Sequence, residues 1–492
     1  MSRLAFRFML YVLIYVGVCS HQCVAQQLLW QRVFDTGKKD QSMDVATDSQ
    51  GNIIVAGTTE FQSIQPPNFN DFLIVKYNPL GDTLWTRRFD ADVHDWAHGV
   101  AIDNADNIIV VGGSYSSSTY AFTHVLKYNA NGSILWARTF GSPNGPNTNI
   151  GSAVAVDSRC NIIVAGNRNS NWGDYITIKY DSSGTLIWMR TYDGGWEDCA
   201  TDVAVDDSDN VVVTGYSNGD MDWDWCTIKY SPDGDTLWVR RHDVALDDKA
   251  DGVVCDKDGN VIVVGRLGQS PTRYAAIVKY SPAGDTLWTK LFVRPVPLDG
   301  LMNFTDVATD GCGNIYTAGL YVLWGNGKDW SDYYIVKCNA QGDTLWTTPC
   351  DVNLLDEPSA INLDKEGNII VTGTTTPNRY SDEYDYLTVK LHDATTGVSE
   401  ENIAPRGFFL YPNYPNPFNP MTVISYQLPV RSFVSLKVYD LLGREIETLV
   451  ADEKLASAYT TTWNATRFAS GVYIARLTAG NFVASIKLVL IR

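Results

Sequence analysis

The sequence predicts an all-β protein: a seven-bladed β-propeller with an N/C-terminal strand clasp, followed by a small Ig-like β-sandwich. Three observations lead to this prediction. Short β-branched and aromatic runs are separated by turn residues, a four-strand unit recurs about every 50 to 58 residues, and the first and last copies of that unit are offset.

The repeated unit is clearest from Asp256 to Lys290, where the runs VIVVG, YAAIVKY and DTLWTK follow one another and DGVVCD precedes them. Each of its three landmark residues occurs seven times along the chain. The landmarks are Asn52, Asn107, Asn161, Asn210, Asn260, Asn314 and Asn368; Lys76, Lys127, Lys179, Lys229, Lys279, Lys337 and Lys390; and Trp30, Trp85, Trp136, Trp188, Trp238, Trp288 and Trp346. A four-strand repeat of this length is typical of a propeller blade.

The offset of the landmarks predicts how the ring closes. The first Trp strand, Leu28–Phe34, precedes every Asn and Lys strand, and the last Lys strand, Tyr386–Leu391, has no Trp strand after it. An open ring would leave an exposed strand edge that pairs with other molecules. We therefore expect Leu28–Phe34 to complete the last blade beside Tyr386–Leu391.

The aspartates that end the first strand of each unit are interpreted as turn caps, because a residue repeated in every unit serves the repeated geometry. The alternative is a ring of ligands. The same reasoning assigns the repeated Lys and Trp residues to structure. The aspartates are Asp48, Asp103, Asp157, Asp206, Asp256, Asp310 and Asp364.

The pattern VAxDxxGNIIVAG…DYxxVKYxxxGDTLW resembles the seven-bladed β-propeller repeat of secreted bacterial proteins, the SBBP type. The resemblance covers about three-quarters of the chain and implies a fold. It implies no catalytic residues. We assign residues 26–398 to the propeller.

The N-terminal residues predict export. A basic start (MSRLAFR), an apolar run of about eleven residues and small residues before Gln26 indicate a signal peptide spanning residues 1–25. No other run approaches the roughly 20 apolar residues of a transmembrane helix, so none is predicted. Seven cysteines follow the signal peptide; an exported protein permits disulfides, the odd number leaves at least one thiol over, and the spacing does not indicate which cysteines would pair.

Beyond a linker at residues 399–407, residues 408–492 form a second domain with alternating runs punctuated by Gly and Pro. This segment resembles the type A C-terminal sorting domain of the type IX secretion system. The resemblance implies handling by the type IX secretion machinery, release from the cell and frequent attachment to the outer cell surface. The matching motif residues include Asn416, Pro417, Phe418, Asn419, Pro420, Gly443 and Gly471.

Charge separates the two domains. The chain carries −18, of which residues 1–25 contribute +2 and residues 404–492 contribute +4, so residues 26–403 carry −24. Nucleic-acid binding requires a basic surface, and we therefore expect no nucleic-acid partner. An acidic module attracts cations instead.

Candidate ligand-binding residues lie in the variable links at one end of the blades, where tryptophans accompany acids. Aromatic rings stack on sugars and carboxylates accept sugar hydroxyls, so a glycan or protein ligand could bind there. The alternative is that these rings pack over loops while the acids keep the rim soluble. The candidates are Trp172, Trp196, Asp198, Asp222, Trp223, Asp224, Trp225 and Trp330.

We predict no metal or cofactor, with calcium as the alternative, because Asp220, Asp222 and Asp224 have the spacing that begins a calcium loop. Trp225 and Ser231 depart from the Gly and Glu that such a loop requires. No hydrolase, metalloprotease or nucleotide motif is present. Our leading hypothesis is an exported, non-enzymatic binding or structural module. The alternatives are a secreted hydrolase, with glycans as one substrate class, that uses acids of the variable face, and a purely structural surface component.

Overall fold

The computed structural model describes residues 27–491 except 62–68, 92–93, 118–119, 142–147, 170–172, 219–221, 244–246, 269–272, 293–299, 326–327, 351–354, 377–383, 394–408, 411–412, 414–417, 429, 455–456 and 481. The chain divides into two compact units, one at Cys23–Thr396 and the other containing Gly397–Arg492. The predicted signal peptide and the whole predicted linker lie outside the described residues.

The first unit is built entirely of β-strands in the described residues. Its strands are β1 (Gln27–Phe34), β2 (Asp40–Thr47), β3 (Ile53–Phe61), β4 (Phe69–Tyr77), β5 (Thr83–Phe89), β6 (His94–Ile102), β7 (Ile108–Ser117), β8 (Tyr120–Tyr128), β9 (Ile134–Phe140), β10 (Thr148–Val156), β11 (Ile162–Asn169), β12 (Asp174–Tyr180), β13 (Leu186–Tyr192), β14 (Asp198–Val205), β15 (Val211–Asn218), β16 (Trp223–Tyr230), β17 (Thr236–His242), β18 (Lys249–Cys255), β19 (Val261–Leu267), β20 (Tyr274–Tyr280), β21 (Thr286–Phe292), β22 (Gly300–Thr309), β23 (Ile315–Gly325), β24 (Lys328–Cys338), β25 (Thr344–Cys350), β26 (Leu355–Leu363), β27 (Ile369–Thr376) and β28 (Asp385–His392).

These strands pair as antiparallel four-stranded meanders. Strands β10–β13, β14–β17 and β18–β21 form three separate four-stranded sheets. Two eight-stranded sheets each contain two meanders, which are joined by one parallel bridge, Asn70↔His94 or Ser331↔Leu355. We number the meanders 1 to 7 from β2–β5 to β26–β28, the last of which includes β1.

The last meander takes its fourth strand from the N-terminal end of the described chain. Strand β1 pairs antiparallel with β28 from Gln27↔His392 to Phe34↔Tyr386. This is the pairing that the offset between the first and last repeats predicts.

The second strand of each meander is buried on both faces, which explains its continuous apolar sequence; Ile53, Ile54 and Val55 have no exposed surface. The glycine that ends this apolar run lies opposite a β-bulge in the first strand. A Cβ on Gly57 would lie 2.1 Å from the Gln41 carbonyl oxygen, and one on Gly215 would lie 1.9 Å from the Cys199 carbonyl oxygen. Glycine is therefore required by close backbone approach.

The second unit contains two sheets that share one core. Strands β29–β30–β33 form one sheet and β32–β31–β34–β35 the other. Ile424 and Trp463 from the first sheet pack with Leu436 and Leu477 from the second. The strands are β29 (Phe409–Leu410), β30 (Met421–Leu428), β31 (Ser432–Tyr439), β32 (Glu445–Lys454), β33 (Ser457–Asn464), β34 (Gly471–Ala479) and β35 (Phe482–Leu490).

In the described parts of the chain, no helix is long and apolar enough to cross a membrane. The cysteines whose side chains are described carry free thiols, namely Cys160, Cys199, Cys226, Cys255, Cys312 and Cys338.

Candidate functional site

The repeated turn aspartates form buried ion pairs with the repeated lysines. Asp48 Oδ1 accepts the N–H groups of Gln50 and Asn52, Oδ2 accepts Asn52 Nδ2, and Lys76 Nζ lies 2.8 Å from Oδ2. Burial raises the pKa of Asp48, but the hydrogen bonds from Lys76 and Asn52 outweigh it and lower the pKa below its ordinary value. The equivalent pairs are Asp103–Lys127, Asp157–Lys179, Asp206–Lys229, Asp256–Lys279 and Asp364–Lys390.

The repeated tryptophans tie each meander to the next one. Trp85 Nε1 and Lys76 Nζ donate to the Ala130 carbonyl at 3.3 and 3.1 Å, and Arg87 Nε donates to the Gly132 carbonyl at 2.7 Å. The arginine was missed in the sequence, although Trp-x-Arg recurs five times. Equivalent arginine bonds join Arg32 to Gly81, Arg138 to Gly184, Arg190 to Gly234 and Arg240 to Gly284.

Meander 6 departs from this pattern. Its lysine, Lys337, pairs with Asp393 at 2.6 Å, and the Tyr316 hydroxyl donates to Asp393 at 2.5 Å and lies 3.1 Å from Asp310 Oδ2. Meander 7 has no tight turn between its third and fourth strands, because its fourth strand, β1, comes from the other end of the chain. In meanders 1, 2, 3 and 5 the lysine donates to a carbonyl of that turn in the next meander. For Lys337 the buried Asp393 carboxylate takes the place of this carbonyl.

At the other end of the strands, aspartates gather where one meander meets the next. Their carboxylate oxygens lie within 4.8 Å of one another in each group: Asp35/Asp40/Asp385, Asp71/Asp90/Asp95, Asp174/Asp193/Asp198 and Asp222/Asp224/Asp243. Arginines face two of the groups, because Arg88 pairs with Asp71 and Asp90, and Arg241 Nε lies 3.8 Å from Asp224. Burial and the neighbouring Asp243 raise the pKa of Asp224 to about 6.

Three further acids accept hydrogen bonds from backbone N–H groups of the following meander. They lie on the first strands of meanders 1, 4 and 6. Asp44, Asp202 and Asp306 each accept one N–H from the next residue and one from the following meander, the latter at 2.7 to 2.8 Å. Burial raises the pKa of Asp44 to about 7 and that of Asp202 to about 6. Their oxygens are thus used for structure.

Several predicted ligand residues fall on this end of the unit, with different degrees of exposure. Trp196 is 58% exposed in the link before β14, whereas Asp198 is buried and accepts the Gly194 N–H. Asp222 and Asp224 are partly buried beside Trp223. Trp172 and Asp220 lie outside the described residues, and only the backbone of Trp330 is described.

Trp225 does not fit the predicted binding role. Its ring has no exposed surface, packs in the core between meanders 4 and 5, and donates from Nε1 to the Arg266 carbonyl at 2.9 Å. A ring enclosed on all sides cannot stack on a ligand. Alternation places Trp223 and Trp225 on the same face of β16, so the difference comes from their positions, because Trp223 is the first residue of the strand and Trp225 lies further inside it.

The structure brings together a group of cations and rings that the sequence analysis missed. Lys249 Nζ lies 4.0 Å from the centre of the Tyr216 ring and 4.1 Å from that of Trp223, and Lys249 is paired across the sheet with Arg266. We call this group the basic–aromatic cluster. Its members are Tyr216, Trp223, Lys249, Asp251, Arg266 and Arg273.

Electrostatics couple the members of the cluster. Burial, and then the charge of Arg266, lower the pKa values of both Lys249 and Arg273. Burial raises the pKa of Asp251 to about 6, against the opposing charges of Arg266, Lys249 and Arg273. Asp251 is the bulge residue of β18, so its side chain departs from the regular alternation of the strand.

The cluster contains buried polar atoms that are unsatisfied, that is, without a hydrogen-bond partner. Trp223 Nε1, Asp251 Oδ2 and Arg273 Nε are buried and have no hydrogen-bond partner among the described residues. Buried polar groups in proteins are almost always paired, so three such atoms in one group require an explanation. A sequence signal existed, since Lys249, Arg266 and Arg273 lie at the ends of variable links in a strongly acidic unit.

The sorting-motif residues have clear roles where they are described. Phe418 is buried, exchanges backbone hydrogen bonds with the β35 end, and packs 5.4 Å from Trp463. Gly443 has φ +80° in a tight turn closed by Asp440, while nothing in the structure explains Gly471. Asn419 and Pro420 follow Phe418 into β30; Asn416 and Pro417 lie outside the described residues.

A family comparison identifies the second unit. Residues 413–491 match the family described as the secretion system C-terminal sorting domain. This type IX sorting domain indicates that the protein is exported and attached to the cell surface, and it implies handling by the type IX secretion machinery.

Similarity to other proteins over the rest of the chain is distant. An uncharacterized WD repeat-containing protein of Acanthamoeba polyphaga mimivirus is 22% identical over 203 residues, which are 30% of this chain and 14% of that protein. The chain therefore spans a small part of this relative's length.

Propellers are among the solved structures that are similar. The β-propeller domain of the Trilobed protease of Pyrococcus furiosus is 11% identical over 73% of this chain and all of that one, with a TM-score of 0.42. PorZ, a surface component of the type IX secretion system of Porphyromonas gingivalis, is 13% identical over 92% of this chain and 81% of its own, with a TM-score of 0.29. A family PL25 ulvan lyase is 12% identical over 72% of this chain and 95% of its own, with a TM-score of 0.46.

Proposed function

We propose that this chain is an exported, cell-surface, seven-bladed β-propeller of the SBBP type that acts as a binding module without catalysis. In this proposal residues 1–25 are a cleaved signal peptide, residues 26–398 form the ring, and residues 408–492 are an Ig-like sorting domain. The observation that carries the binding role is the basic–aromatic cluster, with its unmade hydrogen bonds at the variable end of the strands.

Contacts between meanders 7 and 1 support a closed ring. Trp30 Nε1 and Lys390 Nζ donate to the Pro79 carbonyl at 3.0 and 3.4 Å, as Trp85 and Lys76 do to Ala130. Arg32 Nε likewise donates to the Gly81 carbonyl at 2.8 Å. The last and first meanders thus meet through the same bonds as sequential ones.

The runner-up is a secreted hydrolase that uses acids of the variable face. Glycoside hydrolysis requires two carboxyl groups about 5 to 10 Å apart on either side of a sugar. Asp251 has a raised pKa, which suits a general acid, but the charges that act on it, those of Arg266, Lys249 and Arg273, are all cationic. Its surroundings favour binding over hydrolysis.

The proposal retains calcium as an optional ligand of Asp222 and Asp224, two of the three residues of the predicted calcium loop. The structure groups these two with Asp243 instead of Asp220, which lies outside the described residues. Oxygen ligands this close together suit a hard cation. Arg241 already faces Asp224, so the ion would compete with a guanidinium. Measuring binding with calcium and with a chelator shows whether Asp224 takes a calcium ion or keeps its contact with Arg241.

A glycan-array screen of the purified full chain tests the binding role, with and without calcium. Trp196→Ala/Trp223→Ala should abolish binding, since it removes the exposed ring and the cluster ring but leaves the core Trp225 in place. Trp136→Phe at the opposite end is the matched control and should bind normally. Binding that survives in the double variant would contradict a site on the variable face, and product release from a bound glycan would favour the hydrolase.

A further inference from the structure

We propose that the basic–aromatic cluster binds an acidic sugar, through its carboxylate or sulfate group, as one residue of a larger glycan. The inference rests on the proposed binding function and specifies its ligand class. It follows from three observations on the described residues: unpaired cations, unmade hydrogen bonds and the charge of the surroundings.

The first observation is that the cations of the cluster have no anionic partner in contact. Lys249, Arg266 and Arg273 make no ion pair within 4 Å among the described residues, although other buried lysines of this unit are paired at 2.6 to 2.9 Å. Asp251, Asp247 and Glu197 act on these cations only from beyond ion-pair distance. Partly buried like charges raise each other's free energy, and an anion in direct contact would lower it. Arg266 and Arg273 present planar forks that suit a carboxylate or sulfate.

The second observation specifies more than an anion. Trp223 Nε1 and Arg273 Nε are unused donors, whereas Asp251 Oδ2 is an unused acceptor. A simple anion would satisfy the donors and be repelled by Asp251. A sugar acid carries hydroxyl groups beside its charge, so it can donate to Asp251 while its anionic group faces the arginines.

The third observation is that the cluster lies within residues 26–403, whose net charge is −24. The field of the whole unit therefore repels a polyanion, and any attraction must come from the cluster itself. Such attraction is local and weakens with added salt.

Affinity electrophoresis of the purified full chain tests the inference, with polygalacturonate and dextran sulfate as probes and neutral dextran as the blank. We expect the chain to bind one or both acidic polymers and not dextran. Arg266→Gln/Arg273→Gln should weaken binding at least about tenfold, because each charge-assisted hydrogen bond is worth roughly that much. Arg266→Lys/Arg273→Lys should retain part of the affinity, because charge remains without the fork.

Arg159→Gln is the matched control, since Arg159 is 75% exposed at a tight turn at the other end of the strands. It should bind as the parent does, and thermal unfolding of all variants checks that they fold. Binding of neither acidic polymer, or binding unchanged in Arg266→Gln/Arg273→Gln, would overturn the inference. If the glycan array then showed binding of a neutral glycan, the proposed binding function would still hold and only the acidic-sugar inference would fail. If polyglutamate bound as tightly as the acidic polysaccharides, the ligand of the cluster would be an acidic protein, and the inference of an acidic sugar would be wrong.

Discussion

Single residues in this protein are used repeatedly for the same task, and the buried Asp–Lys pair is the clearest case. The Asp48 and Lys76 side chains are only 1% and 4% exposed. Two charges so deeply buried are tolerated because every oxygen and the ammonium have hydrogen-bond partners. Removing one partner leaves the other charge buried and uncompensated.

We therefore predict that Lys76→Met lowers the free energy of unfolding by about 3–5 kcal/mol at neutral pH. The lowered pKa of Asp48 contributes stability that is present above its unfolded pKa of 3.8 and lost as the pH falls through its folded pKa. The difference between parent and variant should thus shrink in acid. Denaturant unfolding at neutral and acidic pH measures both effects. Lys365→Met, at an exposed lysine that bonds the Ser49 carbonyl, should change little; an equal loss there would contradict the burial argument.

Individual residues also show which features the sequence could predict and which it could not. Repetition predicted that the turn aspartates, the lysines and the tryptophans are structural, and their contacts agree. It could not separate Trp223 from Trp225, because burial between two meanders depends on neighbours some 40 residues away. The cations of the basic–aromatic cluster were missed for the same reason, since Lys249 and Trp223 come from different meanders and meet only in the folded chain.

At the scale of elements, the strand order was predictable because the repeat fixes both strand type and turn type. The bulge in each first strand was not predicted, yet it explains why a glycine ends each second-strand run. The bulge also turns Asp251 away from the regular alternation, so the candidate site depends on a local irregularity that hydrophobic periodicity does not report.

Strand β1 is the element on which closure depends. Deleting Leu28–Phe34 should leave the β28 edge unpaired and remove the Trp30 and Arg32 bonds to meander 1. An exposed edge strand pairs with other copies, so we expect aggregation, measured by light scattering after size-exclusion chromatography. Deleting residues 404–492, which leaves β1 and β28 in place, is the control for loss of a terminal segment outside this unit. A monomeric product of unchanged stability after loss of Leu28–Phe34 would contradict the clasp.

At the scale of the whole molecule, charge and function divide in the same way. Residues 26–403 carry −24, whereas residues 404–492 carry +4 and contain the segment that matches the sorting-domain family. The two compact units therefore differ in charge as well as in fold. This division predicts that export belongs to the second unit and can be transferred with it.

Deleting residues 404–492 should leave a folded first unit that stays in the periplasm, because the sorting signal is lost while the core of meanders 1–7 is untouched. Cell fractionation followed by protease digestion of intact cells measures the change, since only surface protein is accessible. Fusing residues 404–492 to a periplasmic reporter is the converse test and should bring the reporter to the surface. Retention of the fusion would assign part of the signal to the first unit, because a self-sufficient sorting domain needs nothing from the protein that it exports.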